Sequence, residues 1–172
     1  MDNQQERFDT RIAWLAAIIE GEGWVSLGKA YSHQKNKMKT VYYKPQIGVV
    51  NCDMIIMNEV MELFSQIGLK FRKQIRERNV GSDGILRKSR CEVSLSAVKS
   101  IIRLSECILP YMIGEKKNRV LRVLDFISIR TEKGKGPKGK YGSEEEAIYK
   151  ELYSFKGKSR SKILNDYTPK MP

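Results

Sequence analysis

Between residues 10 and 20 the apolar side chains Ile12, Leu15, Ile18 and Ile19 recur three and four positions apart, the spacing of a helix with one buried face. Asp9 or Thr10 stands where an N-cap is needed, and Gly21 and Gly23 are expected to end the helix. The period then changes to two. Residues 24–30 (WVSLGKA) alternate as a strand does, the polar stretch 31–39 reads as a long turn that holds His33, and residues 41–50 return as the partner strand. Pro45 has no N–H for a ladder and so requires a sheet edge or a bulge. Asn51 and Asp53 are placed to cap a second helix, whose stripe Ile56, Val60, Leu63, Phe64 and Ile67 runs to Gly68.

Residues 69–79 follow as a strand rich in basic side chains, VGSDG supplies turn chemistry, and residues 85–95 return. A third helix starts at Ser96 and reaches about Cys107; LPYMIG interrupts, and a longer helix over 115–130 carries Val120, Leu121, Leu124 and Ile127 on one side. Residues 131–142 are glycine-rich and cationic, a flexible loop expected to order on a polyanion. Ser143 with Glu146 forms a capping box for a short last helix to about Phe155, and a basic tail follows. The order is helix, hairpin, helix, hairpin, helices: an α+β domain over 1–130, with 131–172 appended to it. The two helix-hairpin blocks share a layout without sequence identity, so no internal repeat is inferred.

Length and charge narrow the function. A chain of 172 residues supports one good core and makes one domain the expectation. With 32 Lys and Arg against 20 Asp and Glu, a formal charge of +12 attracts polyanions, and nucleic acid leads the partner classes. No apolar run approaches the roughly 20 residues that span a bilayer, and the N-terminus is polar; a soluble intracellular protein, of a microbial cytoplasm or an organelle, is expected. Cys52, Cys91 and Cys107 are odd in number and widely spaced, which suits neither a disulfide framework nor a zinc site. They are read as reduced and mostly buried. One histidine excludes a multi-histidine metal centre.

The end of the first helix holds the candidate chemistry. Ala13, Ala17 and Gly21 recur every four residues and form a stripe of small side chains, suited either to a close approach of two helices or to packing against a strand. Glu22 follows at the helix C-terminus, where the macrodipole favours a cation. If the stripe is a two-fold seam, two copies of Glu22 meet on a basic surface and offer hard oxygen ligands to magnesium or calcium. Like charges so placed would repel without the metal.

The stretch WLAAIIEGEGWVS resembles the active-site helix of the LAGLIDADG homing endonucleases, with residues 15–23 on the nine motif positions. Ala17 stands where the consensus has glycine, Ile18 where it has leucine, Gly21 where it has alanine, and Glu20 and Glu22 where it has aspartates. The chain order read above is also that family's order, αββαββα with a four-stranded antiparallel saddle sheet. ILPYMIGEKKNRVL is similar to the family segment from which a lysine approaches the active site.

The resemblance implies a homodimer of the single-motif type, with Ala13, Ala17 and Gly21 at its interface, that makes a double-strand break in a long, roughly palindromic DNA site. Glu22, with Gly21 beside it, would hold the metal, and Glu20 is read as structural. Lys116, or else Lys117, would stabilise the phosphate, and Asn51 either orders water or caps a helix. Mg2+ is the expected cofactor, with Mn2+ substituting and Ca2+ binding without supporting cleavage. The groove-facing residues would include Trp24, Ser26, Lys29, Tyr42, Lys44 and Gln46 from the first hairpin. From the second come Arg72, Gln74, Arg76, Arg78, Arg87, Lys88 and Arg90, and from the glycine-rich loop Lys138 and Lys140. Arg and Gln suit bidentate base contacts and Lys suits phosphates. Two rival expectations share the fold: a maturase that binds intron RNA, and a DNA-binding regulator that does not cut. No membrane partner is expected.

Overall fold

The computed structural model describes residues 3–31, 41–80, 84–134 and 141–154. Lys138, Lys140, the turn that carries His33 and the basic tail lie outside the described residues.

Helix α1 spans Asn3–Glu22 and buries Ile12, Leu15, Ala16 and Ile19. It begins seven residues before Thr10, so neither Asp9 nor Thr10 is its cap; the Thr10 hydroxyl donates to the Glu6 carbonyl within the helix, at 2.8 Å. Residues 3–9 carry few apolar side chains, and no buried stripe marks them in the sequence. The helix also continues through Gly21 to Glu22. Gly23 opens strand β1 (Gly23–Tyr31), where a Cβ would stand 2.5 Å from the Ile19 carbonyl oxygen; only glycine allows so sharp an exit.

Strand β2 (Val41–Asn51) pairs antiparallel with β1 in the register Trp24 with Gly48, Ser26 with Gln46, Gly28 with Lys44. β6 (Arg90–Leu95) lies on its other side and reaches from Asn51 only to Ile47. Pro45 thus sits where β2 has a single neighbour, which is how an interior strand tolerates it. β3 (Arg72–Arg76) closes the sheet against β6, in the order β1-β2-β6-β3. The long second hairpin expected over 69–95 is broken: β4 (Asn79–Val80) and β5 (Leu86–Arg87) pair as a separate two-stranded ribbon beyond it.

Helix α2 (Met54–Gln66) is capped by Asp53, whose carboxylate accepts the Ile55 N–H at 2.7 Å, and buries Met57, Val60, Leu63 and Phe64. α3 spans Val98–Ile108, a 3-10 turn follows at Leu109–Tyr111, and α4 spans Glu115–Lys133. Of the stripe expected on α4, Val120 and Ile127 are buried, but Val123 and Phe126 complete it while Leu121 is exposed. The helix is rotated from the expected face because α5 (Ser143–Ser154) packs on it and on β1.

The core lies between the helices and one face of the sheet, where Val25, Leu27, Tyr43, Ile47, Val49, Cys91, Val93 and Leu95 are buried. The opposite face carries Trp24, Gly28, Ala30, Tyr42, Lys44, Gln46, Arg72, Gln74, Arg76, Arg90, Glu92 and Ser94, the alternate residues of the same strands. α5 adds Ile148 and Leu152 to the core, together with a buried carboxylate, Glu145. That carboxylate, and not Glu146, reaches back to the Gly142 N–H, at 2.9 Å, so the expected capping box is displaced by one residue. Among the described residues no helix is long and apolar enough to cross a membrane.

Candidate active site and nucleic-acid interface

The C-terminal end of α1 meets the start of α4, and β2 ends toward the same end of the sheet. Glu22, its last residue, is exposed. Lys116, the second residue of α4, sends its ammonium to the carbonyls of Glu20, at 2.6 Å, and Gly21, at 3.1 Å. Burial pushes the Lys116 ammonium below the usual lysine value, while the nearby Glu22 and Glu20 carboxylates pull it back up. Glu22 and Lys116, singled out separately from sequence, therefore lie within electrostatic reach of each other. Lys117 is half-buried, and its N–H donates to the Gly114 carbonyl at 3.1 Å.

Asn51 ends β2, two residues past the pairing of Val49 with Gly23, and so lies toward the same end of the sheet as Glu22. Its side-chain oxygen accepts the Asp53 N–H at 2.9 Å, a turn that leads into α2, while the cap of that helix is Asp53 itself. Among the described residues nothing takes the two donors of its side-chain amide.

The stripe of small residues lies away from the core. Ala17 and Gly21 are exposed, Ala13 is half-buried, and a Cβ placed on Gly21 would meet nothing within 4 Å. Among the described residues, the Gly21 end of the stripe packs against nothing. On the far side of α1, Arg11 joins Glu59, at 2.6 Å, and Glu62, at 3.0 Å, and so ties α1 to α2.

The uncovered sheet face gathers most of the residues proposed for a groove. Arg72, Arg76 and Arg90 are exposed on it, with Gln74 half-buried between them, because β3 and β6 pair Arg72 with Ser94, Gln74 with Glu92 and Arg76 with Arg90. Tyr42 and Lys44 are exposed on β2, whereas Ser26 is largely covered and Trp24 lies across Gly48. Arg78, Arg87 and Lys88 are exposed on the ribbon beyond. Lys29 does not belong to this set. The two-residue alternation turns it to the helical side, where its ammonium stands 3.6 Å from Glu146 and above the rings of Tyr43 and Tyr149.

Two features of the site have no counterpart among the residues singled out from sequence. Glu92 sits in the middle of the basic face and pairs with Arg76 at 3.7 Å; the alternation from Arg90 would have located it. The Glu20 carboxylate accepts the Gly114 N–H at 2.7 Å, a bond across 94 positions of chain that no local pattern signals.

No family model matches the sequence, and no curated protein is similar to it. Solved structures are similar to the fold. The homing endonuclease I-CvuI, in complex with the I-CreI target in the presence of magnesium, superposes over 96% of this chain and 88% of its own at 16% identity, with a TM-score of 0.55. The group I intron-encoded homing endonuclease I-CeuI, complexed with DNA, matches 88% of this chain and 70% of its own at 13% identity, with a TM-score of 0.61. The LAGLIDADG meganuclease I-AabMI, bound to uncleaved DNA, matches 86% of this chain but 46% of its own, at 16% identity and a TM-score of 0.54. With its helix order, its four-stranded antiparallel sheet and a motif helix that ends at Glu22, the chain has the fold of the LAGLIDADG homing endonucleases.

Proposed function

We propose that the chain is a metal-dependent DNA endonuclease that acts as a homodimer, makes one cut in each strand of a long, nearly palindromic duplex site, and serves the mobility of an intron or similar element. The observation that carries this reading is that Lys116 is held on the Glu20 and Gly21 carbonyls, within electrostatic reach of exposed Glu22, at the end of a helix whose Ala17 and Gly21 are exposed. Two copies joined along Ala13, Ala17 and Gly21 would bring two Glu22 carboxylates together. The fold likeness supports the assembly: this chain corresponds to most of I-CvuI and to under half of I-AabMI.

The donors present fit a hard divalent cation. Each chain offers the Glu22 carboxylate and the second lone pair of the Gly21 carbonyl, whose first receives Lys116 at 3.1 Å, and among the described residues no cluster of three His, Cys, Asp or Glu side chains offers a rival site. Two donors fall short of the roughly six that magnesium takes, so a second chain and the DNA phosphate would complete the set. When bound, the metal supplies Lewis-acid polarisation of the scissile phosphate. Magnesium is the proposed cofactor, manganese a substitute, and calcium an ion that binds without supporting the cut. I-CvuI structures were solved with magnesium and with calcium.

Around that site the chain's own groups have separate tasks. Lys116 brings a fixed positive charge to the phosphate as negative charge grows on it, with Lys117 behind it. Asn51 holds a water with its free amide donors. Arg72, Gln74, Arg76 and Arg90 enter a major groove, where Arg favours guanine and Gln favours adenine, while Glu92 accepts from cytosine. Lys44, Arg78, Arg87 and Lys88 meet phosphates. The test is cleavage of a randomised duplex library in magnesium, with the ends recovered and sequenced. Breaks at one two-fold-related sequence are expected. Selection of DNA without breaks, or of structured RNA alone, would leave the fold and remove the nuclease.

A further inference from the structure

A helix leaves its last carbonyls and first N–H groups without partners inside the helix. Here two helices exchange them. The C-terminal carbonyls of α1, at Glu20 and Gly21, receive the Lys116 ammonium from α4, at 2.6 and 3.1 Å. In return the Glu20 carboxylate of α1 accepts the Gly114 N–H at the start of α4, at 2.7 Å. α4 has no capping side chain of its own, since its N-cap residue is Gly114. Each charge also sits at the helix end that favours it, a carboxylate at an N-terminus and an ammonium at a C-terminus.

A side chain at Gly114 would crowd this arrangement: its Cβ would stand 3.0 Å from Glu20 Oε1 and 3.3 Å from its carboxyl carbon, so the carboxylate would have to shift by a few tenths of an ångström. The clamp spans two segments that meet only in the folded chain, and it grips α1 within two residues of Glu22. It also occupies Lys116 with two backbone acceptors, which leaves one of its three N–H donors to face a phosphate.

We infer that Glu20 and Gly114 are positioning residues for the cleavage: with Lys116 they form a reciprocal clamp that sets the end of α1, and so Glu22, at a fixed place relative to the Lys116 ammonium. The inference rests on the reading of Glu22 and Lys116 as the reacting pair. A clamp of this kind acts on the reacting geometry and not on the DNA surface, since Glu20 and Gly114 lie on α1 and before α4, off the strands that face the groove.

The test compares wild type, Glu20→Gln, Glu20→Ala and Gly114→Ala on one DNA site. Duplex affinity is measured in calcium, single-turnover cleavage in magnesium, and Gly114 amide exchange by NMR without DNA. Gln keeps an oxygen acceptor at the same place; Ala removes it. Glu20→Ala and Gly114→Ala should each lose about tenfold to hundredfold in cleavage rate, the scale of a misplacement near 1 Å, with affinity within about twofold of wild type. Glu20→Gln should restore most of the rate, and the Gly114 amide should exchange fast in Glu20→Ala and slowly in Glu20→Gln. Equal rates in wild type and Glu20→Ala, or equal losses in Gln and Ala, would overturn the clamp and leave the nuclease standing. A wild type that binds without cutting would instead overturn the nuclease reading and the positioning role with it. If a variant does not fold, fast Gly114 exchange in the folded wild type is by itself enough to refute the clamp.

Discussion

Glu145→Gln tests how the C-terminal helix is fastened to the domain. The Glu145 side chain is fully buried on α5, where it accepts from the Gly142 N–H at 2.9 Å, from Lys133 at 3.0 Å and from Arg130 at 3.3 Å. Burial alone would raise its pKa, but the Gly142 N–H, Lys133 and Arg130 outweigh it and bring the carboxyl from an ordinary 4.5 down to about 2. A fall of that size corresponds to about 3 kcal/mol of preference for the folded state with the carboxylate charged. The sign follows from a folded pKa below the unfolded one: the contribution is complete above pH 4.5 and is lost as pH falls through 2. Glu145→Gln keeps the shape, loses the charge and leaves Lys133 and Arg130 without their buried partner. Urea unfolding at pH 7 should show the variant about 3 kcal/mol less stable, equivalent to roughly 6–12 °C in melting temperature for a chain of this size. Repeated down to pH 2.5, the difference between the two proteins should shrink steadily, because wild type loses what the variant never had. A difference under about 0.5 kcal/mol at pH 7, or one that stays constant with pH, would refute the reasoning.

Other expectations concern the seam and the sheet face. Ala17→Leu, on the exposed stripe of α1, should convert a dimer to monomer by sedimentation with little change in melting temperature; an undisturbed dimer would mean that the seam lies elsewhere. Gly48→Ala places a Cβ 2.7 Å from the Trp24 ring and should cost about 1–3 kcal/mol in urea unfolding, with a shift of Trp24 fluorescence; an unchanged stability would show that the indole moves freely. Gln74→Ala should relax base preference at one position per half-site, by about 1–3 kcal/mol in a binding-site selection. Lys44→Ala should weaken all sequences alike and flatten the salt dependence by about one ion, and a sequence-specific loss at Lys44 would reverse the two assignments.

Much of this was legible in the chain because two signals are local. The basic second hairpin was legible from composition, and the register of β3 and β6 then turns Arg72, Gln74, Arg76 and Arg90 to one face, since a strand sends alternate side chains to the same side whatever packs behind it. Lys29 was misplaced for the converse reason: its charge looked like a groove contact, while its position in the alternation turns it to Tyr43 and Tyr149. Asp53 was found as the α2 cap because capping acts two residues away. The first turns of α1 were missed because residues 3–9 are helical without a buried stripe. The Glu20 bond to Gly114 and the rotation of α4 under α5 depend on segments far apart in sequence, and single-chain periodicity carries no record of them.

The most direct test of the account is a comparison of wild type with Glu22→Gln on the selected duplex, with binding measured in calcium and cleavage in magnesium or with a chelator. The account predicts magnesium-dependent breaks in both strands by wild type, none with the chelator, and a variant that binds as tightly but cuts at least about a hundredfold more slowly. Cleavage by Glu22→Gln at the wild-type rate, or cleavage that persists in the chelator, would contradict it.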